Sequence, residues 1–287
     1  MTQMTQIIQK VLICAICAIC GFIEFLKIMP YLSIKGVSFH YLTGGDGPRH
    51  IVFIHGFCQS SAFWEEALDR LPVGYRGFAL DLKGFGDSDK PDGPYGIPLF
   101  ADEILAFADA LGLGRFALAG NSMGGVVCQS FACRHAHRLS RLVLVSTGPF
   151  VRDPDAARER AEGYATATLD RAYFEQSVRG FFAAPPDGYE RFVDVAMKAG
   201  REAMRQTMLS SASQNFLEDL RRICVPTLIV QGERDTGRTP EDGRLMQGAI
   251  PGSVLHVLEG AGHTPQLERP DLFYTAFLGF LADARAK

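Results

Sequence analysis

One predicted turn constrains the fold of this chain more than any other stretch. Residues 116–120 are a short apolar run, and the sequence then continues Asn-Ser-Met-Gly-Gly into a helix-like segment. A serine between a strand and a helix, with Gly120 and Gly124 two positions to either side, is typical of a sharp turn in which strand and helix pass closely. The start of the helix directs free N–H groups toward the serine hydroxyl. The sequence therefore predicts an exposed, reactive hydroxyl on Ser122.

Apolar runs and helical patterns alternate on both sides of this turn. The predicted strands are 37–43, 51–54, 77–81, 116–120, 141–146, 227–232 and 254–258. The predicted helices include one around Trp64, one at 98–111, one after Ser122 and one at 271–284. Such alternation predicts an α/β fold with a mostly parallel sheet covered by helices.

A long segment without strand patterns interrupts this alternation. Residues 148–222 are charged and rich in alanine, and they favour helices at 156–168, 169–182, 188–198 and 202–211. We interpret this segment, called the insert below, as a helical cap (lid) over the carboxyl ends of the strands, where such sheets bind ligands.

The insert carries more aromatic side chains than so small a segment can bury within itself. They are Phe150, Tyr164, Tyr173, Phe174, Phe181, Phe182, Tyr189 and Phe192. Some should face Ser122, which predicts a small or medium, largely apolar substrate. Arg179, Lys198 and Arg201 could anchor a carboxylate if they turn inward, although exposure is the simpler expectation for each.

Composition narrows the classes of partner. The chain has 287 residues, is 47% hydrophobic and has a formal net charge of −3. This near-neutral balance argues against nucleic acid as a partner and favours a small-molecule substrate. The seven cysteines are an odd number in a chain too large for a disulfide scaffold, so we expect reduced thiols and a cytoplasmic protein. The oligomeric state is not determined by these patterns.

Residues 1–29 form an apolar N-terminal extension. The unbroken apolar run at 11–23 is too short to span a bilayer comfortably, and no small-x-small cleavage site follows it. The alternatives are weak membrane association through residues 11–23, or an extension upstream of a natural start at Met29, so the sequence does not determine whether residues 1–28 belong to the mature protein. Cys14, Cys17 and Cys20 share one helix side, but without a visible fourth ligand we expect no metal there.

A serine hydroxyl needs an imidazole to accept its proton and a carboxylate to orient that imidazole. Asp235 follows the strand predicted at 227–232, and His263 follows the strand predicted at 254–258. Both therefore lie at the same edge of the sheet as Ser122. We predict a catalytic triad of these three residues, with Glu233 as the weaker alternative for the acid.

These motifs resemble those of the α/β-hydrolase superfamily. Residues 120–124 match its nucleophile elbow G-x-S-x-G, and the chain order of serine, acid and histidine is the superfamily's order. His55-Gly56-Phe57 resembles its His-Gly-x loop, and 81–88 resembles its D-x-x-G-x-G-x-S loop. The resemblance implies an oxyanion hole formed by the backbone N–H groups of Phe57 and Met123, and no cofactor. It also implies an α/β-hydrolase core at residues 30–147 and 223–287.

The resemblance leaves several functions open. A serine nucleophile differs from the aspartate of haloalkane dehalogenases and epoxide hydrolases. The elbow also resembles that of the meta-cleavage carbon–carbon hydrolases, but these carry further glycines after His-Gly and a tryptophan after the histidine, where this chain has Phe57-Cys58-Gln59 and Thr264. A serine hydrolase of small esters or lactones, acting through an acyl-enzyme, is therefore favoured. The alternatives are carbon–carbon cleavage and a non-catalytic ligand-binding protein of this fold.

Overall fold

The computed structural model describes residues 30–283, and the N-terminal extension with its three cysteines lies outside them. Within this range eight strands form one sheet. They are β1 (Tyr31–Ile34), β2 (Val37–Gly45), β3 (Arg49–Ile54), β4 (Tyr75–Leu80), β5 (Phe116–Asn121), β6 (Leu139–Val145), β7 (Thr227–Gly232) and β8 (Val254–Leu258).

The order of strands in the sheet is β1-β2-β4-β3-β5-β6-β7-β8. The pairs from β4 to β8 are parallel, whereas β2 is antiparallel to both β1 and β4. The sequence did not predict β1, whose four residues are exposed or half-buried and therefore lack an apolar run. Lys35 and Gly36 close the hairpin between β1 and β2 with positive φ angles of 51° and 84°.

Helices cover the sheet and fill the insert. They are α1 (Glu65–Asp69), α2 (Ile97–Ala110), α3 (Met123–His135), α4 (Pro154–Gly163), α5 (Arg171–Arg179), α6 (Glu190–Ala196), α7 (Arg201–Ala212), α8 (Pro240–Ala249), α9 (Pro265–Glu268) and α10 (Pro270–Ala282). Short 3₁₀ helices occupy Ser61–Trp64, Ala136–Arg138 and Asp219–Arg222. Helices α4 to α6 are shorter than their predicted ranges, because loops between them take up part of the helical pattern.

The central strands are buried on both faces, as their unbroken apolar runs predict. In β3, Val52 and Ile54 pack into the core below α2 and α3, and Ile51 and Phe53 pack into the core on the opposite face. On that opposite face lie Trp64, which precedes α1, and the aromatic side chains of α10. Side-chain alternation along each strand therefore supplies two separate apolar layers.

The insert connects β6 to β7 and is hydrogen-bonded to the rest of the protein at several points. At its entrance the side-chain amide of Gln129, in α3, donates to the carbonyl of Gly148 over 3.0 Å. Farther along, the N–H of Gly200 donates to the carbonyl of Gly84 over 2.8 Å.

No helix within residues 30–283 is both long enough and apolar enough to cross a lipid bilayer.

Candidate active site

Ser122 lies between β5 and α3 with φ 53° and ψ −117°, in the left-handed region that side-chain-bearing residues rarely occupy. Neighbouring groups hold this backbone in place. The N–H of Ser122 donates to the carbonyl of Val145 over 2.8 Å, and the Thr147 hydroxyl donates to the Ser122 carbonyl over 2.8 Å. The strain is therefore supported by fixed contacts from β6 and the residues after it.

The two glycines of the turn are required by close packing. A Cβ added at Gly124 would lie 2.4 Å from the carbonyl oxygen of Ile54, and one at Gly120 would lie 2.4 Å from the carbonyl oxygen of Gly124. Helix α3 can thus start directly against the end of β3 only because these positions lack a side chain. This approach brings the first turn of α3 next to the loop after β3.

Ser122, His263 and Asp235 form one hydrogen-bonded chain. The distance from His263 Nε2 to Ser122 Oγ is 2.8 Å, and that from His263 Nδ1 to Asp235 Oδ2 is 2.7 Å. Because a carboxylate only accepts hydrogen bonds, Nδ1 donates to Asp235 and Nε2 is left to accept from the serine hydroxyl. The N–H groups of Gly237 and Arg238 donate to Asp235 Oδ1 over 2.9 and 2.8 Å, which orients the buried carboxylate.

The alternative acid, Glu233, lies elsewhere. Its Oε2 accepts a hydrogen bond from the N–H of Gly260 over 2.9 Å. The structure thus brings Asp235, and not Glu233, to the imidazole of His263. His256 is exposed on the edge strand β8.

Two backbone N–H groups beside Ser122 have no acceptor among residues 30–283: those of Phe57 and Met123. Met123 is the first residue of α3, so its N–H has no partner within the helix. In the loop after β3, the side-chain oxygen of Gln59 accepts the N–H of Gly56 over 2.7 Å. This bond uses the N–H of Gly56, whereas the N–H of the next residue, Phe57, remains available to a bound oxygen atom.

His55 supports this loop rather than contacting Ser122. Its Nδ1 donates to the carbonyl of Gly56 over 2.7 Å, and its Nε2 accepts from the N–H of Leu82 over 3.0 Å. Complete burial lowers the pKa of His55, which keeps the imidazole neutral. Cys58 is also buried, and desolvation raises the pKa of its thiol, so this cysteine acts as a packing residue.

A cavity of about 630 Å³ lies above Ser122 and His263. Its apolar wall includes Phe57, Met123, Val126, Tyr164, Tyr173, Phe181 and Met208. The Phe57 and Tyr164 rings stack with centroids 6.0 Å apart, and the Phe181 ring lies 6.3 Å from the His263 ring. Of the eight aromatic residues singled out in the insert, Tyr164, Tyr173 and Phe181 line this cavity. Phe174, Phe182, Tyr189 and Phe192 pack into or against the core, and Phe150 forms a backbone bridge with Asn215.

Known proteins with similar sequences point to one family. The sequence model described as the alpha/beta hydrolase fold matches residues 49–270. This chain belongs to the α/β-hydrolase family. The non-heme chloroperoxidase CPO-A1 of Kitasatospora aureofaciens is 31% identical to it over 247 residues, which cover 79% of this chain and 89% of that protein.

Solved structures of this family superpose on the hydrolase. The enol-lactonase from Burkholderia xenovorans LB400 is 27% identical with a TM-score of 0.83, and the match covers 88% of this chain and 100% of that one. A membrane phospholipase A, described as a bacterial virulence factor, is 25% identical with a TM-score of 0.78, and the match covers 97% of this chain and 98% of that one. The predicted α/β-hydrolase fold is thereby confirmed.

Glu268, in α9 of this hydrolase, holds the loop that carries His263. Its carboxylate accepts the N–H groups of Gly262 and Thr264, the two neighbours of His263, over 3.1 and 3.0 Å. It also accepts the N–H of Ala183, in the insert, over 2.7 Å. Sequence patterns did not predict this role for Glu268, because a carboxylate that binds backbone N–H groups has no characteristic residue pattern around it.

The basic residues considered as carboxylate anchors do not line the cavity. Arg179 is exposed, Lys198 pairs with Asp87 over 2.7 Å, and Arg201 donates to the backbone carbonyls of Tyr164 and Ala167. The arginines on the cavity wall are instead Arg152, Arg160 and Arg238. The positions of Arg152 and Arg160 depend on how the insert docks on the core, which helical periodicity does not reveal.

One group within residues 30–283 places three potential metal ligands within 4.8 Å of one another: His40, Asp81 and Asp87. His40 Nδ1 lies 2.8 Å from Asp81 Oδ2, and the N–H groups of Ser61 and Asp87 also donate to the Asp81 carboxylate. Asp87 itself pairs with Lys198. These hydrogen bonds organise the loop after β4, and they leave the Asp81 carboxylate little capacity for an ion.

Proposed function

We propose that this protein is a serine hydrolase that cleaves small or medium carboxylic esters or lactones through an acyl-enzyme. The observation that carries this proposal is the hydrogen-bonded chain from Ser122 through His263 to Asp235 at the base of the cavity. Ser122 Oγ attacks the carbonyl carbon while His263 Nε2 takes its proton. The negatively charged oxygen is stabilised by the N–H groups of Phe57 and Met123.

The tetrahedral intermediate then breaks its bond to the alcohol oxygen, which takes the proton from His263. In a lactone this alcohol stays attached to the acyl group, because both belong to one ring. Water next gives a proton to His263 and attacks the acyl carbon, and Ser122 leaves with that proton. Asp235 orients the imidazole and stabilises its charged form throughout.

The size and wall of the cavity support a compact substrate. A volume of about 630 Å³ is within the range of sites for small molecules. The rings of Phe57, Tyr164 and Phe181 form an apolar surface close to the reacting atoms, which favours an aromatic or cyclic group and excludes water.

The test is hydrolysis of 4-nitrophenyl butyrate by the full chain. We expect turnover without added metal or cofactor, and we expect Ser122→Ala to lower it by about 10³-fold or more. Ser33→Ala is the control, because Ser33 is exposed in β1 at the far edge of the sheet. Full activity in Ser122→Ala would reject the proposed nucleophile.

Two alternatives remain for this site and are separated by substrate choice. Cleavage of a vinylogous 1,5-diketone in preference to any ester or lactone would identify a carbon–carbon hydrolase. Binding of such compounds with no turnover in the unmodified protein would identify a non-catalytic binding protein.

A second candidate function is hydrolysis of lipid esters at a membrane surface. It is favoured by the match to the membrane phospholipase A, which covers 97% of this chain. Residues 11–23 would then provide the membrane association predicted from their apolar sequence. Release of fatty acid from phosphatidylcholine vesicles faster than 4-nitrophenyl butyrate is hydrolysed would favour this candidate, and inertness toward vesicles would exclude it.

A further inference from the structure

Three arginines from two separate parts of the chain line the cavity above Ser122. Arg152 and Arg160 belong to the start of the insert, whereas Arg238 lies three residues after Asp235. The apolar wall formed by Phe57, Tyr164 and Phe181 belongs to the same cavity. The cavity is therefore lined by both cationic and aromatic groups.

The three arginines differ in how far their charges are compensated. Arg152 Nη2 lies 2.9 Å from Asp242 Oδ1, and Asp242 is completely buried, so this cation already has a partner. The guanidinium of Arg160 makes no ion pair and no hydrogen bond with any residue in the range 30–283. Its guanidinium is exposed on α4, at the edge of the cavity.

Arg238 is only half-buried as a whole residue, but its guanidinium is poorly satisfied. Nη1 donates to the carbonyl of Phe150 over 2.7 Å. Nε and Nη2 have no acceptor among the described residues, and neither atom is sealed from solvent. Burial lowers the pKa of Arg238 despite the attraction of Asp242 and Asp235, so its positive charge is not fully compensated by its surroundings.

Asp153 is the acidic residue among those that line the cavity, and it does not neutralise Arg238 directly. Its Oδ1 accepts the N–H of Ala156 over 2.9 Å as the N-cap of α4. No ion pair joins Asp153 to any arginine within residues 30–283. The donors of Arg238 thus remain available to an anion that enters the cavity.

We propose that Arg238, assisted by Arg160, forms an anion subsite that binds a carboxylate group of the substrate. This inference rests on the proposed hydrolysis at Ser122 and specifies its substrate class as esters or lactones that carry a carboxylate and an apolar or aromatic part. A guanidinium with two adjacent free donor atoms matches the two oxygens of a carboxylate. Arg238 is then a specificity residue. The alternative is that its side chain only ties the loop after Asp235 to Phe150.

The experiment compares matched esters that differ in one carboxylate. Mono-4-nitrophenyl glutarate is paired with 4-nitrophenyl pentanoate, which places the charge on the acyl side. 4-Acetoxybenzoate is paired with 4-methylphenyl acetate, which places it on the alcohol side. Both pairs are tested on the unmodified full chain and on Arg238→Met, Arg238→Lys and Arg160→Met, with Arg179→Met as the control, since Arg179 is an exposed arginine of the insert away from the cavity.

We expect the unmodified protein to prefer the carboxylated ester in at least one pair. Arg238→Met should lower the preference for that ester over its neutral partner, measured as the ratio of their kcat/KM values, about 10- to 100-fold, because the lost charge-assisted bond weakens binding of the carboxylated ester only. Arg238→Lys should recover part of the preference for the carboxylated ester. Arg160→Met should reduce this preference less than Arg238→Met does, and Arg179→Met should leave it unchanged. Equal effects on both esters of each pair, or no preference in the unmodified protein, would overturn the subsite.

A different result marks failure of the proposed function. Hydrolysis that survives in Ser122→Ala, or no hydrolysis of any ester, rejects the hydrolase mechanism. The anion subsite is then tested by ligand binding instead of by activity. Calorimetric titration of the full chain with hexanoate and with hexanamide then decides. Selective binding of hexanoate that is lost in Arg238→Met and kept in Arg238→Lys supports the subsite, and equal binding of the two ligands overturns it.

Discussion

The sheet core and the insert contribute to the same cavity in different ways. In the core, backbone atoms set the positions of the reacting groups: the strained turn at Ser122, the N–H groups of Phe57 and Met123, and the N–H groups that hold Asp235. In the insert, side chains line the cavity above these reacting groups. Helix α4 illustrates the difference, since only Ala157 and Ala161 are buried in it, whereas every residue of β5 is buried.

This difference implies that the core determines which reaction is possible and the insert determines which molecules reach it. A strand buried on both faces tolerates little change in side-chain volume. A partly exposed helix can exchange side chains with little effect on the fold. Paired substitutions in the core and the insert should therefore differ in their effects on turnover, stability and substrate binding.

The largest effect is expected at the acid of the core. Asp235→Asn should lower kcat for 4-nitrophenyl butyrate by about 10³- to 10⁴-fold, because an amide no longer holds His263 in the tautomer that accepts the serine proton. Glu233→Gln is the matched change, and its effect should stay within a few-fold because the Glu233 carboxylate is hydrogen-bonded to Gly260 and not to His263. If Glu233→Gln abolished activity while Asp235→Asn did not, the acid would be misassigned.

The same glycine-to-alanine change should have opposite effects on stability in the two regions. Gly124→Ala puts a Cβ 2.4 Å from a backbone oxygen of β3, which cannot move freely, so we expect a loss of several kcal/mol or no folded protein. Gly163→Ala, at the end of α4, meets no atom within 4 Å and should stabilise by about 0.4–1 kcal/mol. Thermal unfolding of both variants measures the difference, and equal destabilisation would contradict it.

An intermediate effect is expected where the insert and the core meet. Glu268→Gln keeps the shape but replaces one carboxylate oxygen with a donor, so it should loosen the loop around His263. We expect kcat to fall about 10- to 100-fold with KM little changed, since the substrate wall is untouched. Glu241→Gln, on the exposed side of α8, is the control. A rise in KM alone would place Glu268 in substrate binding instead.

The smallest effect is expected for an insert side chain that contacts substrate only through its apolar face. Phe181→Ala should raise KM for methyl phenylacetate about tenfold and leave methyl acetate nearly unchanged, because only the larger acyl group reaches the aromatic wall. A pH-stat assay follows both esters. An equal loss of kcat/KM for the two esters would indicate that Phe181 supports His263 and does not contact the substrate.

The sequence allowed prediction of the parts of the fold that repeat a local pattern. Seven strands were predicted near their observed bounds, and β5 and β7 were the simplest cases, because a strand buried on both faces is an unbroken apolar run. The short β1, with no such run, was missed. Helices α4 to α6 of the insert were predicted too long, because charged, alanine-rich loops have much the same composition as charged helices.

For the candidate site, local sequence was informative about the residues that need a particular backbone. Gly120 and Gly124 mark the turn at Ser122, and strand ends mark Asp235 and His263, because parallel strands end at one edge of the sheet. Glu268 and Arg238 could not be found in this way. Their roles depend on contacts between segments that are distant in sequence, such as Glu268 with Ala183 and Arg238 with Phe150. Local sequence patterns thus specify the α/β-hydrolase fold and the order of the reactive residues. The aromatic and cationic groups that surround Ser122 depend instead on how the insert docks, because docking is side-chain packing between elements that are remote in sequence.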